Sequence, residues 1–150
     1  MSEALARDPR RVERLFDHYA IAHRHPVNKA IHWICVPLIM WSVVAALWAW
    51  TPVAAVTLVV LALGFYVVLS LPLAIGMMGV TAMMLAPLPW IAPRPLLIAA
   101  LVVFVGAWIG QFVGHHVEGR RPAFLEDVTY FLVGPAWLLA DLYRRLGVRY

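Results

Sequence analysis

The sequence predicts an all-α protein integral to a membrane: a four-helix bundle with an N-terminal amphipathic helix before it and a C-terminal interfacial helix after it. Three observations carry this reading. The chain of 150 residues is 63% hydrophobic and 13% charged, whereas soluble domains hold about half apolar and about a quarter charged residues. No Asp, Glu, Lys or Arg occurs over the 64 residues from Ala30 to Pro93, nor over the 23 from Pro95 to Val117. Arg94 alone separates those two stretches. A spanning helix takes roughly 20 apolar residues, so the first stretch holds three spans and the second holds one. The length fits a single domain, residues 1–150.

The first element is an amphipathic helix. Val12, Leu15, Phe16, Tyr19 and Ala22 repeat at helical spacing between Arg11 and His23, which suits a helix lying at a membrane interface. The first 30 residues carry six basic residues and no continuous apolar stretch, so they do not read as a cleaved signal peptide. Pro26 keeps His25 out of helical geometry, and a new helix is expected to start near Val27 or Asn28 and run into the first span.

Prolines punctuate the spans: Pro52, Pro72, then Pro87, Pro89, Pro93 and Pro95. They place the spans at 33–50, 53–71, 73–91 and 96–114. Ser70-Leu71-Pro72 is not a polar loop, so the second and third spans are joined by a tight hairpin or form a partly re-entrant pair. Gly76 and Gly79 in the third span suit close helix packing. Tryptophans such as Trp50 and Trp90 stand near span ends, where aromatic belts occur. After Pro122, Glu126 and Asp127 open a last helix and Arg144 and Arg145 close it, matching the helix dipole. Val128, Phe131, Leu132, Leu138, Leu139 and Leu142 keep helical spacing, with Pro135 as a kink. This apolar part is too short to span and reads as interfacial.

Charge placement sets the expected orientation. The formal net charge is +4. Arg7, Arg10, Arg11, Arg14, Arg24 and Lys29 precede the first span, and Arg120, Arg121, Arg144, Arg145 and Arg149 follow the last. The positive-inside rule then puts both termini in the cytoplasm, a parity that four spans satisfy and three do not. A bacterial inner membrane is the expected location. Basic residues that flank spans, without interleaved aromatics on a soluble face, argue against nucleic acid as a partner. No ionisable residue falls at mid-span, which argues against a transporter or channel. The single cysteine, Cys35, excludes a disulfide scaffold and any CxxC motif.

The histidines carry the functional question. His18, His23, His25, His32, His115 and His116 all fall outside the middle of the spans, and the four-span topology brings all six to one membrane face. Imidazole is a common ligand of iron and zinc. His23 lies in the apolar stripe of the first helix and His18 lies off it. Asn28 and His32 share a helix face, as do His115 and Glu118; His116 points away from His115. There is no HExxH, and the order His115…Glu118 reverses the Glu-x-x-His of di-iron bundles. Three His, or two His and a carboxylate, with open positions is the pattern of non-haem Fe(II) oxygen chemistry. Solvated or headgroup-bound interfacial histidines are the blander alternative. A haem held by His32 and His115, or a protein without catalysis, is another.

Two motifs sharpen this. The stretch Tyr19-x-x-x-His23-Arg24-x-Pro26-x-Asn28-Lys29-x-x-His32-x-x-x-x-Pro37 and the stretch Gln111-Phe112-x-Gly114-His115 with Glu118 and Arg121-Pro122-Ala123 resemble the two motifs of the 2-hydroxy fatty acid dioxygenase family. One departure is that Glu118 follows His115 by three residues, where many members space the pair by four. The resemblance implies an Fe(II)-dependent membrane enzyme that uses O₂ to shorten a 2-hydroxy fatty acid by one carbon, the α-oxidation reaction. It implies His23, His32 and His115 as metal ligands, with His116 as a possible fourth. It further implies catalytic support from Asn28 and Glu118, orienting ring nitrogens. Arg24, Lys29 or Arg121 could neutralise the substrate carboxylate, while the acyl chain lies in the lipid bilayer or between spans.

Overall fold

A computed structural model of the chain describes residues 9–125 and 127–150. Arg7 and Glu126, invoked for orientation and for the start of the last helix, lie outside the described residues, as do the side chains of Arg10 and Arg11. The elements run α1 (Pro9–Ile21), α2 (Pro26–Trp50), α3 (Pro52–Leu69), α4 (Leu71–Leu85), a 3₁₀ turn (Leu88–Trp90), α5 (Pro93–Glu118), a second 3₁₀ turn (Ala123–Leu125) and α6 (Tyr130–Leu146). Four segments are long and apolar enough to cross a membrane: α2, α3, α4 with its 3₁₀ turn, and α5. The fold is therefore the expected all-α membrane bundle.

Proline sets the start of each span. α2, α3, α4 and α5 all carry proline in their first two positions, where the missing N–H has no helical partner to lose. His25, extended at φ −68 and ψ 130, caps α2 by accepting the Val27 N–H on its ring. The α3–α4 junction is a single extended residue, Ser70, so the two helices form the tight hairpin. α4 has 15 residues, about 22 Å of helix against about 30 Å of hydrocarbon, and its 3₁₀ turn completes the crossing. α5, with 26 residues, reaches about 39 Å, so a turn remains at its end to carry polar side chains. α2 starts at Pro26, close to the expected Val27 or Asn28, and α5 outruns the expected 96–114 at the end where the histidines lie.

α2 and α5 are antiparallel and closely packed. Gly110 and Gly114 of α5 make this possible: a Cβ on Gly110 would stand 2.6 Å from Cys35 Sγ, and one on Gly114 would collide with Asn28 Oδ1. Small residues spaced by four let helix backbones approach within a membrane. Outward residues such as Leu61 and Val102, 68% and 67% exposed, suit contact with lipid rather than water.

α1 and α6 cover the same end of the bundle. The α1 stripe of Val12, Phe16, Tyr19 and Ala22 is buried and packs largely against α6, so protein as well as interface receives it. α6 begins at Tyr130, after Asp127 accepts the Thr129 N–H at 2.8 Å. Residues 133–138 of α6 are all buried. Tyr66 of α3 donates to the Leu132 carbonyl at 3.0 Å, and Tyr143 donates to the Pro72 carbonyl at 2.9 Å. Gly76 faces the Tyr143 hydroxyl, leaving no room for a Cβ, whereas Gly79 faces open space.

Candidate metal centre

The antiparallel pairing of α2 and α5 sets the first turns of one against the last turns of the other. His32 and His115 meet there, and the short link between α1 and α2 adds His23. All three are buried, at 1%, 5% and 1% exposure for His32, His115 and His23. Their ring centroids lie 4.3 Å (His23–His32), 5.0 Å (His23–His115) and 4.9 Å (His32–His115) apart, and the rings are steeply inclined to one another. One nitrogen from each falls within 4.8 Å of the others.

Hydrogen bonds fix two of the tautomers. His23 Nδ1 lies 2.6 Å from the Tyr19 carbonyl, and His32 Nδ1 lies 2.9 Å from the Asn28 carbonyl. A carbonyl only accepts, so each Nδ1 carries the proton and donates. Each neutral ring then has a bare lone pair on Nε2, yet the two Nε2 atoms stand 2.9 Å apart. Two lone pairs in that position repel unless a cation lies between or beside them. A proton is a poor candidate, because burial, with a smaller contribution from His115, pushes the His23 imidazole down to about 4. His115 Nδ1 is buried and has no hydrogen-bond partner. Three neutral imidazoles with lone pairs to spare are the donor set that a divalent transition metal takes, and the residues fit such an ion.

The support around these rings is specific. The Tyr19 ring stacks on His23 at 4.0 Å and 13°, and its hydroxyl lies where a Cβ on Gly134 would stand 2.9 Å away. The Glu118 carboxylate accepts the Arg24 N–H at 2.9 Å, the His25 N–H at 2.8 Å and Asn28 Nδ2 at 3.2 Å. Asn28 Nδ2 also donates to the Ala22 carbonyl at 3.1 Å. Main-chain carbonyls therefore orient the ring nitrogens, while Asn28 and Glu118 hold the link that carries His23 against the end of α5. Gly119, left-handed at φ 70, ends α5 directly after Glu118.

The other sequence candidates lie around this core. His116 is exposed and stands apart from the three-histidine group. His25 is exposed at the α2 cap, and exposed His18 bonds Tyr130 through Nδ1 at 2.6 Å. Arg24 and Lys29 are exposed and line an open polar groove that reaches His23 from the α1 side. Arg121 is exposed on the link after α5.

On its other side the histidine cluster opens into a cavity of about 60 Å³. Its walls are largely apolar, with Ile39, Met40, Phe124, Phe131 and Pro135 among them. Val36, Met40 and Pro135 also line a second, wholly apolar cavity of about 120 Å³ between α2, α4 and α6. The sequence places Trp108 with the span-end tryptophans and Gln111 in the second motif, but assigns neither to the site, although both line the first cavity; Gly110 has no role in that reading. Their signal is the α5 face itself: Trp108, Gln111 and His115 are spaced three and four apart, and Gly106, Gly110 and Gly114 form a repeat of small residues.

A membrane bundle whose spans converge on buried histidines defines a class: membrane proteins with a buried histidine cluster at the end of the spans that could hold a metal ion. The family model described as "2-hydroxy-palmitic acid dioxygenase Mpo1-like" matches residues 10–146. The chain is 33% identical over 138 residues to the 2-hydroxy-palmitic acid dioxygenase MPO1 of Saccharomyces cerevisiae, covering 86% of this chain and 78% of that protein. No solved structure matches it. The chain belongs to the Mpo1-like family of dioxygenases.

Proposed function

We propose that this protein is an Fe(II)-dependent dioxygenase that shortens 2-hydroxy fatty acids by one carbon, with His23, His32 and His115 holding the metal. The observation that carries the reading is the pair of bare Nε2 atoms 2.9 Å apart, each ring having spent its proton on a carbonyl. Family membership supplies the reaction class, since the yeast relative is named for 2-hydroxy-palmitic acid. The change balances as 2-hydroxy acid plus O₂ giving the acid one carbon shorter, CO₂ and water. Iron, when bound, supplies O₂ activation and a Lewis acid for the oxygens of the 2-hydroxy acid head.

The chain's own residues do the rest. Tyr19 and Asn28 hold the rings in one tautomer through their carbonyls, as outer partners of metal-bound histidines do. Asn28 and Glu118 keep the three histidines in register across α2 and α5. The apolar walls keep water from the reacting end and receive the first methylenes of the chain, each worth about 0.8 kcal/mol when buried. The exposed groove with Arg24 and Lys29 attracts the carboxylate toward the site from the aqueous side. Both termini face the cytoplasm in this reading, which the flanking arginines support.

The test uses detergent-purified protein reconstituted anaerobically with Fe(II). Given 2-hydroxyhexadecanoate and O₂, it is expected to consume one O₂ per pentadecanoate formed. Iron-loaded protein that leaves the acid intact contradicts the assignment.

A further inference from the structure

We propose that Gln111 is the residue that recognises the 2-hydroxyl group of the substrate, with Trp108 beside it as a donor to the head's other oxygens; this rests on the function proposed above. Gln111 is 5% exposed and lines the histidine cavity beside His115. Trp108 lines the same cavity, and its Nε1 is buried without a partner. Buried polar atoms are nearly always paired, so an unspent indole N–H with a glutamine amide on the same wall of a largely apolar cavity is a demand for a polar ligand. Both lie on the α5 face that carries His115, Gln111 one turn away and Trp108 two turns away.

The chemistry matches a 2-hydroxy acid group by group. Indole Nε1–H only donates, and a carboxylate only accepts. A glutamine amide both donates and accepts, as does a hydroxyl. Trp108 is held in place by the rings of Phe124 at 5.0 Å, Phe112 at 5.7 Å and Phe131 at 5.9 Å, so its N–H cannot swing to another partner. Arg24, Lys29 and Arg121 do not line this cavity. Discrimination by side chains thus falls to neutral groups. An unsubstituted fatty acid leaves the Gln111 amide unpaired, and a site built to bond a hydroxyl rejects the analogue that lacks it.

The experiment measures binding without turnover. Anaerobic Fe(II)-loaded wild type, Gln111→Met and Gln111→Leu are titrated with 2-hydroxyhexadecanoate and with hexadecanoate, and the metal content of each is measured alongside. Wild type is expected to prefer the hydroxy acid by about 10-fold or more. Both variants are expected to keep their metal and to show a preference several-fold smaller than the wild type's, chiefly by weaker binding of the hydroxy acid; the remainder is what iron supplies. Trp108→Phe is expected to weaken both acids while retaining the preference. A preference in Gln111→Met as large as the wild type's overturns the role of Gln111 alone. Loss of metal or of both acids equally in the Gln111 variants makes the residue structural and also overturns it. A wild type with no preference overturns the 2-hydroxy acid reading and this inference together.

Discussion

Each histidine ring of the pair His23 and His32 has one nitrogen committed to a main-chain carbonyl and the other aimed at the cluster. Burial and proximity separate these two and His115 from the exposed histidines. His116→Ala is accordingly expected to keep its metal and its activity, measured by elemental analysis and O₂ uptake; loss of metal would make it a fourth ligand. Glu118 accepts from two backbone N–H groups and from Asn28. Glu118→Ala is expected to weaken metal binding by about 10–100-fold, the usual effect of removing an outer partner, while the protein still inserts. Glu118→Gln retains an acceptor and is expected to lose less. The histidines were legible because charge placement alone put them on one face. The place of Gln111 and Trp108 at the site was not: Gln111 stood in a motif and both share the α5 face of His115, but that spacing does not say what the face packs against until the neighbouring helices are in place.

At the scale of elements, the spans were readable from proline and from the absence of charge. The start of α2 was readable too, from the break at His25-Pro26; what stayed hidden was how far α5 continues past its expected span, because apolar counting stops where polar residues begin. The packing of α2 on α5 was also hidden: Gly110 and Gly114 look no different in sequence from Gly106, yet only the first two face α2. This difference is testable. Gly114→Ala is expected to destabilise the protein by about 1–3 kcal/mol through overpacking and to lower metal content, because its Cβ would displace Asn28. Gly106→Ala meets nothing within 4 Å and is expected to stay within about 0.5 kcal/mol. Thermal unfolding in detergent, with metal analysis, checks both. Equal effects would contradict the helix contact. The burial of α6 was missed for a related reason: its sequence pattern marks one apolar face, but α1, α2 and α4 together cover residues 133–138 from several sides.

For the whole molecule, the arrangement separates two ends. Trp50 and Trp90, 79% and 89% exposed, stand at the end where α2 stops and α5 starts. The histidines, α1 and α6 occupy the other, with nearly all the basic residues. A charged acid head and a long apolar tail fit such a division, the head at the aqueous end and the tail within the bundle or the leaflet. The orientation is checked with single cysteines at Glu13 and Trp90, Cys35 being buried. In sealed vesicles an impermeant maleimide applied from the cytoplasmic side is expected to label position 13 and spare position 90. The reverse pattern would invert the topology.

The claim on which the rest depends is that three imidazoles hold one metal ion. Anaerobically purified protein, supplied with Fe(II) and desalted, should be analysed for bound metal beside His32→Ala. About one iron per chain in the wild type, lost in the variant while the protein remains in the membrane fraction, is the expected result. A wild type that retains no metal after Fe(II) is added back, or a variant that retains as much as the wild type, would contradict the account.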